Sequence, residues 1–132
     1  MKSVLPVKIY YEDTDAGGVV YYANYLRYAE RGRTEFFKQA GFSNAQFLNC
    51  ETPVAFMVKR CEADYLRPAR LEDELSVETE IGEIGGASLT FLQTVVRGGE
   101  TLVKMRVVVV CASLATGKPS RLPVEVREKL AL

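Results

Sequence analysis

The stretch from Tyr10 to Tyr25, Y-Y-E-D-T-D-A-G-G-V-V-Y-Y-A-N-Y, gathers carboxylates and glycines directly ahead of a helical pattern. A helix start carries unpaired N–H groups and partial positive charge, which suits an oxyanion forming on an attacked carbonyl. Asp13 or Asp15 would then attack that carbonyl or activate water. An ordinary aspartate has a pKa near about 3.9, so it is ionised at neutral pH and needs no histidine to prepare it. Aspartates in such a loop also commonly cap or shape a turn, and that structural role competes with the chemical one. The segment by itself names no substrate.

The rest of the composition narrows the chemistry. The 132 residues contain no histidine, which excludes Ser-His-Asp and Cys-His catalysis and any zinc site built on imidazole. No metal site is expected. Seventeen basic residues balance seventeen acidic ones, leaving no surplus to neutralise a nucleic acid backbone, so no nucleic acid partner is expected. Cys50, Cys61 and Cys111 are odd in number, widely spaced and without a C-x-x-C pair, as in a reduced cytoplasmic protein. Cys61 has no base beside it in sequence and is discounted as a nucleophile. The N-terminus lacks the apolar stretch of a signal peptide, and the longest apolar run, Val107 to Ala112, is too short to span a membrane. One domain over residues 1–132 is expected.

The elements that must hold the Glu12–Gly18 loop can be read on either side of it. Val4 to Tyr11 reads as a first strand, rich in β-branched and aromatic residues. Ala23 to Ala40 reads as a helix, with Tyr25, Tyr28, Ala29, Gly32, Phe36 and Ala40 on one stripe and Gly41 as its stop. Gly32 inside that helix costs about 1 kcal/mol relative to alanine, which implies that a sheet packs too closely there to admit a methyl group. Arg31 with Glu35, and Glu30 with Arg33, are spaced to pair along the helix. Tyr21, Tyr25 and Tyr28 either line a ligand pocket or form ordinary core.

Ser43 is placed to cap a short helix through Leu48. Four strand-like segments follow: Val54 to Leu66, Leu75 to Ile84, Ser88 to Arg97 and Thr101 to Ala115. Gly85-Gly86 and Gly98-Gly99 read as tight hairpin turns, so the last three strands should form an antiparallel meander. Val107 to Val110 is apolar at every position, which suits a strand covered on both faces by helix, partner subunit or both. Pro123 opens a final helix through Leu130.

Asp13-Thr14-Asp15, Gly18-Val19-Val20-Tyr21-Tyr22, Asn24-Tyr25, Glu30 and Arg33 together resemble the hotdog-fold acyl-CoA thioesterases of the 4-hydroxybenzoyl-CoA thioesterase type. The likeness is nearest to the branch associated with the bacterial Tol-Pal envelope system. It implies an α+β fold, an antiparallel five-stranded sheet wrapped around one long helix. It also implies hydrolysis of an acyl-CoA thioester without a separate cofactor, since CoA belongs to the substrate. The catalytic carboxylate maps to Asp15, as nucleophile or general base, and the carbonyl-polarising amide maps to Tyr22. That branch usually carries histidine at the latter position, so Tyr22 departs from a histidine-assisted mechanism and preserves only the backbone donor. Gly18, Val19 and Tyr25 are the implied substrate-binding residues of the same loop and helix.

The resemblance further implies a homodimer or homotetramer with sites shared between subunits. The partner's contribution maps to Thr52 and Ser88. Arg60, Arg67 and Arg70 are the cations at hand for the CoA phosphates. A non-catalytic module binding acyl-CoA or an acyl carrier protein is the alternative function. A hydratase on the same fold is disfavoured by the missing histidine.

Overall fold

The computed structural model describes residues 1–131. Five strands form one antiparallel sheet: β1 (Lys2–Lys8), β2 (Val54–Tyr65), β3 (Glu74–Ile84), β4 (Ser88–Arg97) and β5 (Glu100–Ser113). Their order across the sheet is β1-β3-β4-β5-β2, so β1 and β2 are the edges and β3, β4 and β5 form the expected meander. The long helix α1 (Asn24–Gln39) lies across the concave face, mainly over β1, β3 and β4. The short α2 (Asn44–Leu48) covers β2, and α3 (Val124–Leu130) closes the chain.

Helix α1 buries the stripe its sequence marks: Tyr25, Tyr28, Ala29, Gly32 and Phe36, with Phe37 added. A Cβ built on Gly32 would meet Val77 Cγ1 at 2.8 Å, Thr79 Oγ1 at 3.0 Å and Gln93 Nε2 at 3.1 Å, which is why glycine stands there despite its helix cost. The helix stops at Gly41 (φ +93°), where the Phe42 amide reaches the Phe37 carbonyl at 2.8 Å and the Gly41 amide reaches that of Lys38 at 3.0 Å. Ser43 Oγ accepts the Ala45 amide at 3.1 Å and caps α2 as expected.

Several details depart from the sequence reading. β1 ends at Lys8 rather than Tyr11, because the Ile9 amide turns to the Asp73 carbonyl and Tyr11–Asp13 coils into a 3₁₀ turn. Gly98 and Gly99 both take positive φ, as a two-residue hairpin turn requires. The Gly85-Gly86 connection is looser: it includes Ala87 and follows a register shift between Ile81 and Ile84. In the apolar run of β5, Val107 and Val109 are buried while Val108 and Val110 face outward and stay half-exposed. The second covering layer is therefore not supplied by this chain's own described residues.

Candidate active site

The loop between β1 and α1 is a small hairpin. Thr14 bridges Val20, the Asp15 amide donates to the Val19 carbonyl at 2.9 Å, and the Gly18 amide donates to the Asp15 carbonyl at 3.0 Å. Gly18 adopts φ +77°, which only glycine takes without strain. Asp15 occupies the first corner of this turn, and its Oδ1 accepts the Gly17 amide at 2.8 Å. Asp15 is exposed, and its Oδ2 makes no hydrogen bond among the described residues.

Asp13 does different work. Its Oδ2 accepts the Tyr10 amide at 2.8 Å, while its carbonyl accepts both the Asn24 side-chain amide and the Tyr21 amide at 2.9 Å. It ties the loop to the start of α1.

The floor of the loop is the segment between β2 and β3. Val20 donates to the buried Ala69 carbonyl at 2.9 Å, Val19 bridges Arg70, and the Ala69 amide donates to the Tyr25 hydroxyl at 3.0 Å. Burial raises the Tyr25 phenol above its ordinary range, so it stays protonated. That floor is braced in turn by Arg97, whose Nη1 reaches Asp73 Oδ2 at 2.8 Å and the Pro68 carbonyl at 3.3 Å.

Helix α1 begins at Asn24, two residues after Tyr22, which sits in the turn leading in. No side chain caps this start. The Tyr22 and Ala23 amides make no hydrogen bonds among the described residues, whereas the Asn24 amide is taken by the Tyr21 carbonyl at 2.9 Å. The helix end therefore presents open N–H groups. The Tyr22 ring is exposed and stands edge-on to Tyr21 and Tyr65, with centroids 5.1 Å and 5.9 Å away.

Asp15, Gly18, Val19, Tyr22 and Tyr25 thus share one end of the molecule. Thr52 and Ser88 do not: Thr52 precedes β2, and Ser88 opens β4 opposite Val110. They lie toward the other end of β2, a strand of 12 residues spanning roughly 35 Å. Within one chain they do not reach Asp15. Of the candidate phosphate ligands, Arg60 pairs with Glu62 at 2.9 Å and Arg67 with Glu100 at 3.4 Å. Arg70 has no ion pair among the described residues.

The expected helix pairs are replaced by others. Glu35 meets Lys38 at 3.8 Å, and Arg31 lies over the Tyr28 ring, 6.0 Å from its centroid. Arg33 turns inward and donates to Gln93 Oε1 at 3.0 Å. Gln93, 2% exposed, passes its own amide to the Ala29 carbonyl at 2.8 Å and to Thr79 Oγ1 at 2.9 Å. This network was missed from sequence. Its available signal was a glutamine at an inward position of β4, between Phe91 and Val95.

Comparison with known proteins places this geometry. The model of the thioesterase-like superfamily matches residues 10–130. The acyl-CoA thioesterase YbgC of Haemophilus influenzae is 46% identical over 122 residues, covering 92% of this chain and 89% of that protein. The acyl-CoA thioester hydrolase YbgC of Escherichia coli is 47% identical over 119 residues, covering 89% and 87%. The crystal structure of a probable thioesterase from Bartonella henselae superposes with a TM-score of 0.89 at 34% identity, over 93% of this chain and 100% of that one. With its five-stranded antiparallel sheet wrapped around α1, the chain has the hotdog fold and belongs to the thioesterase-like superfamily.

Proposed function

We propose that this chain hydrolyses acyl-CoA thioesters to a carboxylic acid and free CoA, with no separate cofactor. The observation that carries the reading is an exposed aspartate oxygen, Asp15 Oδ2, in the turn of the loop that runs directly into an uncapped helix start. The names of the Haemophilus influenzae and Escherichia coli relatives supply the substrate class.

The thioester carbonyl oxygen accepts from the Tyr22 amide, and the helix terminus stabilises the negative charge that develops there. Asp15 Oδ2 either attacks the carbonyl carbon, giving an anhydride that water then opens, or takes a proton from the water that attacks. In both routes the carbon–sulfur bond breaks and CoA leaves as thiolate. Gly18 and Val19 shape the loop around the carbonyl, and Tyr25 holds its floor.

Edge strand β2 has an open side, and Met57 and Val58 on it are exposed. Antiparallel pairing of two such edges sets the start of one β2 beside the end of the other. Thr52 and Ser88 of one subunit then approach Asp15 and Tyr65 of its partner. The active form in this reading is a homodimer or a pair of dimers in the cytoplasm, where exposed Cys50 and Cys61 remain thiols. An acyl carrier protein is a further candidate partner.

The deciding experiment measures thiol release from a panel of short, long and aromatic acyl-CoAs by the wild type beside Asp15→Asn. Turnover should fall by about 10²- to 10⁴-fold while substrate affinity is retained. Full activity in Asp15→Asn, or saturable binding by the wild type with no thiol release, defeats the proposal.

A further inference from the structure

The connection between β3 and β4 is Gly85-Gly86-Ala87, a run with no polar side chain to hold it. Neither glycine takes a positive φ, so backbone geometry does not call for them. At Gly85 the demand is steric: a Cβ there would stand 2.5 Å from Ser88 Oγ, and the bare Cα leaves that hydroxyl its place.

The connection is fixed from outside, through its carbonyls. Arg127 of α3 donates from Nη2 to the Gly85 carbonyl at 2.7 Å and to the Gly86 carbonyl at 3.1 Å. The Leu122 amide adds a bond to the Gly86 carbonyl at 3.0 Å, and the Cys111 amide donates to the Ala87 carbonyl at 2.7 Å. Arg127 is firmly seated, because Val126 beside it is fully buried and Leu122 is 4% exposed. Its bonds are charge-assisted, which makes them roughly twice as strong as neutral ones.

Three consecutive carbonyls are thus claimed, while the donors of the same stretch are left over. The Gly86 and Ala87 amides and the Ser88 hydroxyl make no hydrogen bond among the described residues, and none of these residues is buried. A turn that spends its acceptors on the protein and keeps its donors open suits a ligand rich in acceptor oxygens. The CoA portion of a thioester substrate, with its amide carbonyls and phosphates, is such a ligand. Arg127 is the one side chain in the clamp, so it can be removed while the Leu122 and Cys111 backbone bonds stay in place.

We propose that Arg127 is a positioning residue of the acyl-CoA site: from α3 it holds the Gly85 and Gly86 carbonyls and so sets the Ser88 hydroxyl against the CoA portion of the substrate. The inference rests on the acyl-CoA thioesterase reading, since Ser88 meets substrate only in the paired subunits described there.

The test measures kcat, KM and Tm for wild type, Arg127→Met, Ser88→Ala and the double variant, with the acyl-CoA that the wild type hydrolyses best. Arg127→Met should raise KM by about 10-fold and leave kcat within about twofold. Ser88→Ala should raise KM to a similar extent, and adding Arg127→Met to it should raise KM by less than about twofold more, the non-additivity of two residues acting through one contact. Gly85→Ala pushes on the same hydroxyl without touching α3, should reproduce the rise in KM, and keeps the test available if Arg127→Met does not fold. A lowered Tm with unchanged KM in Arg127→Met would make the arginine merely structural and overturn the proposal. So would independent, multiplying effects in the double variant, or a Ser88→Ala or Gly85→Ala protein with the KM of the wild type. Each of those results leaves the thioesterase reading standing, whereas a wild type that releases no thiol from any acyl-CoA removes that reading and this inference with it.

Discussion

The two ends of α1 are anchored by different physics. At its C-terminal end the Phe37 ring meets Phe56, Phe91, Phe42 and Phe47 at centroid distances of 5.1, 5.9, 6.3 and 6.3 Å. Phe36 meets Phe91 edge-on at 5.6 Å. This end is held by non-directional burial and aromatic contact. At the N-terminal end Tyr21, Tyr22 and Asp15 are exposed, and the buried rings of Tyr25 and Tyr28 are supplemented by individual hydrogen bonds to Ala69, Asp13 and Asn24 that fix the loop. Burial tolerates small displacements, whereas each hydrogen bond fixes a distance and an angle. In the proposed mechanism, the end that aims a carboxylate and an amide at one carbonyl is the end richer in directional contacts. Damage to the two ends should therefore separate stability from activity.

The largest effect expected on stability is at the packed end. Phe36 is 1% exposed, and Phe36→Ala should cost about 3 to 5 kcal/mol in chemical denaturation. Protein that remains folded should keep most of its thiol-releasing activity per molecule. A cost below about 1 kcal/mol would show that burial does not hold this end.

Tyr25→Phe is the counterpart at the polar end. It removes the hydroxyl that accepts the Ala69 amide and leaves a fully buried N–H unpaired, at a cost of about 1 to 3 kcal/mol. Because Ala69 is also the residue that Val20 grips, turnover by the folded fraction should drop even where stability is ample. Unchanged turnover would mean the loop is positioned without this bond, and the contrast between the ends would narrow.

How much of this was legible in the sequence follows from the range of the interactions. The stripe on α1, the Ser43 cap, the Gly41 stop and the Gly98-Gly99 turn are set by neighbours within a few residues, so period and residue type sufficed to find them. Gly32 even reported the close approach of the sheet. The end of β1 was misread because Tyr10 and Tyr11 look strand-like, while the Ile9 amide is claimed by Asp73, far along the chain. The inward turn of Arg33 to Gln93 bridges 60 positions, and helical spacing pointed instead to Glu30. At the candidate site, the resemblance pointed to Asp15 and the helix start, and the sequence reading of Asp13 as a structural acceptor of loop amides agrees with its bond to the Tyr10 amide, but which amide it takes was not legible.

The smallest expected effect probes the brace beneath the loop. Slight burial pushes the Asp73 carboxyl upward, but the Arg70 amide and the Arg97 guanidinium outweigh it and hold the group below the ordinary carboxylate range. A carboxyl whose folded pKa lies below its unfolded value adds stability above the unfolded pKa, near about 3.9, and loses it as pH falls through the folded value. The Tm difference between wild type and Asp73→Asn should accordingly stay level from neutral pH down to about pH 5. It should then shrink toward its acid limit below about pH 4. The Asp73 side chain is 24% exposed, so water and salt weaken the pair, and the difference should diminish further as ionic strength rises. If Asp73→Asn instead tracks the wild type at every pH, the floor of the loop is held by the Val20–Ala69 and Tyr25 bonds without help from charge. The polar end of α1 would then depend on fewer contacts than its geometry suggests, and each remaining bond would matter more to where Asp15 points.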